Sequence, residues 1–425
     1  MAKVFTENCS LTQWLQILEK RHWQEIDLGL KRIQKVAKKL QVLTPRATVI
    51  HIAGTNGKGS TCATLETLYL NAGYTVGVYT SPHLITCNER IRVNNHIITD
   101  TDLCRIFSII ENARNTTILT YFETFTLAAL IYFQEQQLDV IILEVGMGGR
   151  LDATNIINND IAIITTIDFD HQEYLGNSIE KISFEKTGIC RYNQPCIYAD
   201  TIPEVVINHC TYLLKCTQYF HGKNYKCYID NNQLYFIYQQ KIIKLTPPHL
   251  HINAIGSALM ASIILSKKLP IDYNTINLDN INLAGRQQIL KINDNIMLLD
   301  VAHNAQSAKY LAEYLRIQYP HKIIHAIFSA LNDKDITALI APLRESVNYW
   351  YPVTLNVKRG ATPSQLQDGM TTNHIIIKQY YQTPKQAYHS ACNNAASDDL
   401  IIVYGSFIIV GQILSLINQD VVRIQ

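Results

Sequence analysis

One stretch near the amino end constrains this chain more than any other: Val49-Ile50-His51-Ile52-Ala53-Gly54-Thr55-Asn56-Gly57-Lys58-Gly59-Ser60. An apolar, β-rich run ends in three glycines, a lysine and a hydroxyl, and the helical pattern Thr61 to Asn71 follows. Glycines let backbone N–H groups close around phosphate oxygens, and a helix N-terminus adds a positive dipole end. Lys58 is placed to neutralise outer phosphates and Ser60 to ligate magnesium. Gly54, Thr55, Asn56, Gly57, Lys58, Gly59 and Ser60 are therefore the expected cradle of a nucleoside triphosphate, ATP. The spacing is G-x-x-G-K-G-S, not the usual G-x-x-x-x-G-K-[ST], because Gly59 separates lysine from hydroxyl. The competing reading is a Gly-rich turn at a strand end.

Apolar β-rich runs alternate with helix-length segments: Val49 to Ala53, Thr75 to Thr80, Asp139 to Val145, Ile161 to Ile167 and Gln194 to Ala199. That alternation predicts parallel strands joined by crossover helices. Tyr225 to Leu245 differs and reads as a hairpin about an Asp-Asn-Asn turn, an antiparallel appendage, before a helix Asn253 to Lys268. A second alternating series runs strand Ile296 to Val301, helix Ala305 to Tyr319, strand Lys322 to Ser329, helix Lys334 to Leu343 and strand Leu400 to Tyr404. At 425 residues the chain exceeds what one core usually serves. The expected division is 1–284, an ATP-binding domain with a mainly parallel sheet, and 285–425, a smaller Rossmann-like α/β domain.

A net charge of +2 supplies no strong field for nucleic acid or an anionic membrane, so small molecules are the expected partners. Met1 to Lys20 lacks the apolar core of a signal peptide, and no apolar run approaches the roughly 18 residues of a membrane span. A cytoplasmic protein is expected. The ten cysteines form no C-x-x-C pair and are read as reduced, mostly buried thiols.

Further motifs follow the phosphate loop in order: Ser81-Pro82-His83-Leu84, Asn88-Glu89-Arg90-Ile91, Tyr121-Phe122-Glu123, Leu143 to Asn155 with its Gly146-Met147-Gly148-Gly149 run, Asp170-His171, Glu185-Lys186-Thr187-Gly188, Gly285-Arg286, Asp300, His303-Asn304, Asp333-Lys334-Asp335 and Gly405-Ser406-Phe407. Together they cover about residues 25 to 410. This series resembles the folylpolyglutamate synthase and dihydrofolate synthase family, in the Mur ligase superfamily of ATP-dependent amide-forming enzymes. A P-loop central ATPase domain followed by a smaller α/β domain is the fold the resemblance implies. Ala284 stands where proline is usual, Val301 where glycine is usual, and Ile408 replaces a polar residue.

Glu144 ends an apolar strand beside an open glycine run, and magnesium prefers carboxylate, hydroxyl and water oxygens, so Ser60, Ser81 and Glu144 are the expected ligands. The resemblance implies that His171 helps bind a second magnesium, with Asp170 able to orient it; a general-base role for His171 stays open. Lys186 would otherwise read as an exposed helix lysine. The resemblance implies that CO₂ carbamylates it, turning a cation that repels magnesium into an anion with two oxygens. Lys58, His171 and Lys186 are thus the expected catalytic residues.

By the same resemblance Thr120, Tyr121, Phe122 and Glu123, with Leu151, Asp152 and Ala153, line a dihydropteroate pocket, though capping and core packing explain many of these side chains. Asn253, Arg286, Asp300 and His303 are expected on ATP. The implied reaction is glutamate addition to dihydropteroate and to reduced folates through an acyl phosphate. A peptidoglycan-precursor ligase would need a whole domain of about 100 residues before the phosphate loop, which Gly54 lies too early to allow. A tail-extending synthase without the first activity, or a P-loop hydrolase indifferent to folate, remain the rivals. The absence of an obvious exposed apolar helix makes a monomer the default.

Overall fold

The computed structural model describes residues 9–22, 26–200, 204–292 and 295–424, so the start of the Met1 to Lys20 pattern lies outside it. Two compact units emerge. The first comprises residues 1–82 and 88–281; the second comprises 282–425 and the short segment His83–Cys87. The reading from sequence kept that segment with the first unit. Its place in the second has a packing reason, because Leu84 lies against the apolar cluster that includes Val410, Ile413 and Leu414.

The first unit is built on eight strands: β1 Thr48–Ala53, β2 Val76–Tyr79, β3 Ile91–Val93, β4 His96–Ile97, β5 Val140–Glu144, β6 Ile161–Ile164, β7 Pro195–Tyr198 and β8 Thr217–Phe220. They are ordered β4-β3-β2-β5-β1-β6-β7-β8. From β2 to β8 every pairing is parallel, while β3 and β4 run antiparallel at one edge. Apart from the edge strand β8, these parallel strands are buried almost throughout, which is why they read as continuous apolar runs rather than alternating ones. β1 follows the expected course, but β6 stops at Ile164, and Thr165 and Thr166 turn out to serve the phosphate loop instead.

The hairpin read from the Asp-Asn-Asn turn gains a third strand. β9 Tyr225–Asp230, β10 Gln233–Tyr238 and β11 Lys241–Leu245 form an antiparallel sheet. Asn231 and Asn232 both have positive φ, as a tight two-residue hairpin turn demands. The following helix, Ile252–Ile264, ends in a 3₁₀ turn, Leu265–Lys267.

The second unit carries β12 Gln288–Ile292, β13 Asn295–Leu299, β14 Ile324–Phe328, β15 Tyr349–Pro352 and β16 Leu400–Tyr404, ordered β12-β13-β16-β14-β15. Only β12 is antiparallel to its neighbour. Alternate residues feed two cores: Leu298, Ala326 and Ile402 on one face, Leu299, Ile327 and Val403 on the other. The helix expected from Lys334 begins at Ile336, because the Asp335 side chain caps it by accepting from the Ala338 N–H.

Candidate active site

Four adjacent strands of the first sheet, β2, β5, β1 and β6, deliver their C-terminal ends to one edge. Ser81 follows β2, Glu144 ends β5, the phosphate loop follows β1, and His171 lies in the loop after β6. Ligands in such sheets bind at this edge, where the order of connections reverses.

The phosphate loop turns through Gly57, whose φ of +84° only glycine adopts without strain. Gly54 is required for a different reason, since a Cβ there would overlap the Thr165 hydroxyl. The helix Lys58–Asn71 begins three residues earlier than its apolar pattern suggested, so Lys58, Gly59 and Ser60 form its first turn, where backbone N–H groups lack intrahelical acceptors. The loop is sewn to the segment after β6. Thr55 N donates to Thr166 O (2.8 Å), Asn56 N to Thr166 Oγ1 (2.8 Å), and Thr165 Oγ1 to Asn56 O (2.6 Å). Thr55 Oγ1 also receives the Asp168 N–H at 3.0 Å, which brings the approach to His171 alongside. Lys58 Nζ donates back to the carbonyls of Gly54 (3.0 Å) and Thr55 (3.3 Å).

Glu144 is 3% exposed, and its Oε2 accepts the Ser81 backbone N–H at 3.1 Å. Two of the expected magnesium ligands are thereby brought together. His171 adopts a left-handed conformation (φ 49°, ψ 41°) at the head of the short helix Gln172–Leu175, a strained geometry that concentrates at functional sites. Its backbone N–H donates to Asp170 Oδ1 at 2.9 Å, while its ring Nε2 stands 3.8 Å from Oδ2, an ion-pair separation.

Lys186, on the helix Ile179–Thr187, is 3% exposed rather than a surface lysine. Burial, followed by repulsion from Lys58, pulls its amine down to about 7, with Asp170 opposing. The glycine run after Glu144 admits that helix. A Cβ on Gly149 would lie 2.8 Å from the carbonyl oxygens of both Glu185 and Lys186. Arg150 N donates to Glu185 O at 2.7 Å, and the Arg150 side chain pairs with the Glu185 carboxylate at 2.7 Å.

The expected folate-pocket residues divide into walls and supports. Tyr121 and Phe125 stack at 4.7 Å with the Arg90 guanidinium 5.4 Å over the Tyr121 ring, and Phe122 packs against Tyr79 and Gly146. Thr120 and Glu123 instead form the capping box of the helix Tyr121–Glu135, and Glu123 Oε2 also takes the Arg32 Nε–H at 2.8 Å. Burial pushes the Glu123 carboxyl up, against the pull of Arg32. Asp152 is buried and turned into its own loop, accepting from Met147 N (3.0 Å), Thr154 N (2.9 Å) and Thr154 Oγ1 (2.6 Å). Leu151 and Ala153 flank it, with Ala153 buried. The described contacts of Asn253 are local, its N–H meeting His251 Nδ1 at the start of its helix.

In the second unit Arg286 and His303 gather around Phe407, and Asp300 interacts with both of them. The Arg286 guanidinium lies 5.5 Å over that ring and the His303 ring 5.6 Å from it. Burial raises the Asp300 carboxyl while Arg286 and the N–H groups of Gln287 and Ala302 oppose.

Residues 52–209 match the family model of the Mur ligase middle domain, and residues 285–407 that of the Mur ligase glutamate ligase domain. The dihydrofolate synthase/folylpolyglutamate synthase of Escherichia coli is 36% identical over 415 residues, spanning 96% of each chain. The chain belongs to the dihydrofolate synthase/folylpolyglutamate synthase family. Its Bacillus subtilis counterpart is 30% identical over 91% of this chain and 94% of that one. Among solved structures, E. coli FolC in complex with DHPP and ADP superposes with a TM-score of 0.92 at 36% identity, covering 97% of this chain and 98% of that one. A bifunctional synthase from Yersinia pestis with AMPPNP and a manganese ion gives 0.90 at 35% identity over 98% and 100%. The doubly wound P-loop unit and the smaller α/β unit are thus the fold of this family.

Several residues that contact these segments were not read from the sequence. Arg92, Glu66, Arg32 and the Thr165-Thr166 pair lie outside the motifs named above. Among the described residues no three His, Cys, Asp or Glu side chains gather as a metal-binding group. The described cysteines are free thiols, and no described helix is long and apolar enough to cross a membrane.

Proposed function

We propose that this chain joins L-glutamate to dihydropteroate, giving dihydrofolate, and to reduced folates, lengthening their glutamate tails, with ATP as the energy source. The observation that carries the reading is the set of groups at one sheet edge: the phosphate loop, the Ser81–Glu144 pair and buried Lys186, in a chain of this family. In the reaction a substrate carboxylate attacks the γ-phosphorus of ATP to give an acyl phosphate, and ADP leaves. The glutamate amine then attacks the acyl carbon and phosphate departs. Both steps gather negative charge, and Lys58 with the N–H groups of the first helical turn is placed to receive it. Each such donor contributes about 3 kcal/mol in the transition state.

The residues present fit magnesium: the Glu144 carboxylate and the Ser60 and Ser81 oxygens are hard donors. Magnesium, when bound, neutralises charge on the transferred phosphoryl group. Ser60, Ser81 and Glu144 would hold one ion, and His171 with a carbamylated Lys186 a second. The depressed basicity of Lys186 supports carbamylation, since CO₂ adds only to a neutral amine. Tyr121 and Phe122 would form the apolar wall for the pterin, with the Thr120–Glu123 capping box fixing their helix and Asp152 fixing the loop that carries Leu151 and Ala153. Arg286, Asp300, His303 and Asn253 would contact the nucleotide. We place the protein in the cytoplasm as a monomer, acting without nucleic acid or membrane.

Labelled-glutamate incorporation, run separately with dihydropteroate and with tetrahydrofolate, tests this directly. Incorporation with both is expected. Incorporation with tetrahydrofolate alone would reduce the activity to tail extension, and ATP hydrolysis indifferent to either acceptor would reject the folate reading.

A further inference from the structure

The helix Lys58–Asn71 carries Ser60 in its first turn and Glu66 further on, 5% exposed. Glu66 Oε2 accepts from Arg92 Nη2 at 2.8 Å. Arg92 stands on β3 beside β2, and its Nη1 donates to Thr80 Oγ1 (3.1 Å) and to Glu89 O (3.2 Å). Thr80 N donates to Arg90 O at 2.9 Å, and the next residue, Ser81, gives its N–H to Glu144. A continuous path of polar contacts therefore runs from the phosphate-loop helix to the strand-end carboxylate. The planar fork of an arginine makes these divergent bonds at once, which a lysine cannot do.

We propose that Glu66 and Arg92 are a positioning pair for the cation site, locking the Thr80–Ser81 turn to the phosphate-loop helix so that Glu144 and Ser60 keep a fixed separation. The inference rests on the magnesium-dependent reading above and adds two residues to it. Glu66 Oε1 has no hydrogen-bond partner among the described residues, so its carboxylate depends on Arg92. Arg92 accordingly does two things: it balances Glu66 and it anchors the turn that holds Glu144.

The two effects have opposite signs for cation binding. Removing a positive charge near the site would by Coulomb's law tighten a divalent cation, whereas loosening the ligand geometry weakens it, by about 10- to 100-fold for a residue that orients a ligand. Mn²⁺ binding to the full chain with saturating ADP, followed by the electron paramagnetic resonance of free Mn²⁺, separates them. Arg92→Lys keeps the charge and loses the fork; Glu66→Gln with Arg92→Gln removes both charges and leaves no buried unpaired ion. Weaker Mn²⁺ binding by about tenfold or more is expected in both, with metal-free ADP affinity and melting temperature near wild type in the double variant. Unchanged or tighter Mn²⁺ binding in both would overturn the proposal and leave the pair a fold contact. Failure of the wild type itself to bind Mn²⁺ would overturn the magnesium reading, and this inference with it.

Discussion

Lys186 shows how burial converts an ordinary side chain into a chemical one. Its amine, ordinarily near 10.5, titrates near 7 because the helix Ile179–Thr187 presents it inward and Lys58 repels its charge. Folding favours the neutral form, and the unfolded chain binds more protons between about pH 7 and 10.5. This group's contribution to stability therefore rises with pH across that window and is lost as pH falls towards 7. Carbamate formation has the same sign, so kcat at fixed CO₂ should fall as pH drops below about 7, read alongside the carbamate signal in ¹³C spectra. Lys186→Ala should lower kcat by at least about 100-fold, as loss of a positioned catalytic group does; full activity in that variant would refute the role. Gly54→Ala should abolish tight ADP binding through overlap with the Thr165 hydroxyl, measured by calorimetry. The phosphate loop was legible because its glycines, lysine and hydroxyl are adjacent in sequence, whereas Glu144, a strand-end acid, stood out only with its glycine run and the family resemblance. Burial of Lys186 was not, since its helix also carries Glu180, Lys181 and Glu185 and only tertiary packing encloses it. Asp152 and Glu123 were legible as important residues, yet their carboxylates turn into loop and cap, which spacing alone does not distinguish from a substrate contact.

The element that brings Lys186 to the sheet edge is the glycine run after β5. Gly149 lets the backbone approach the end of the helix Ile179–Thr187, and Arg150 then fastens that end through Glu185. Gly149→Ala should push the helix outward and reduce glutamate ligation at least about tenfold, while ADP binding at the separate phosphate loop is retained; a variant with wild-type turnover would show that the approach is not needed. The cost of such overpacking is typically about 1–3 kcal/mol. The central parallel strands were readable from sequence because burial on both faces makes each a continuous apolar run. The edge strands were not. β3 and β4 are three and two residues long, with half-exposed or exposed side chains at most positions, and β12 and β15 alternate or expose their first residues, so none offers a run that stands out from a loop.

On the scale of the whole molecule, the chain does not divide at a single point. His83–Cys87 leaves the first unit after Pro82 and packs within the second, where Gly411 meets the Leu84 backbone so closely that a Cβ would overlap the Leu84 carbonyl oxygen. The segment that follows Ser81, one of the proposed magnesium ligands, is thus also a structural part of the unit carrying Arg286, Asp300 and His303. Gly411→Ala should therefore destabilise the second unit by about 1–3 kcal/mol, the usual penalty for an added methyl group in a packed site. Differential scanning calorimetry of the full chain should show the lower transition moving down while ADP still shifts the transition of the phosphate-loop unit upward, as a ligand that binds only the folded state must. A fragment of residues 282–425 lacks Leu84 and should melt below the same unit in the full chain. Addition of a peptide spanning residues 81–89 should restore part of that difference. Equal melting of the fragment with and without the peptide, together with a silent Gly411→Ala, would mean that the second unit is complete without the borrowed segment.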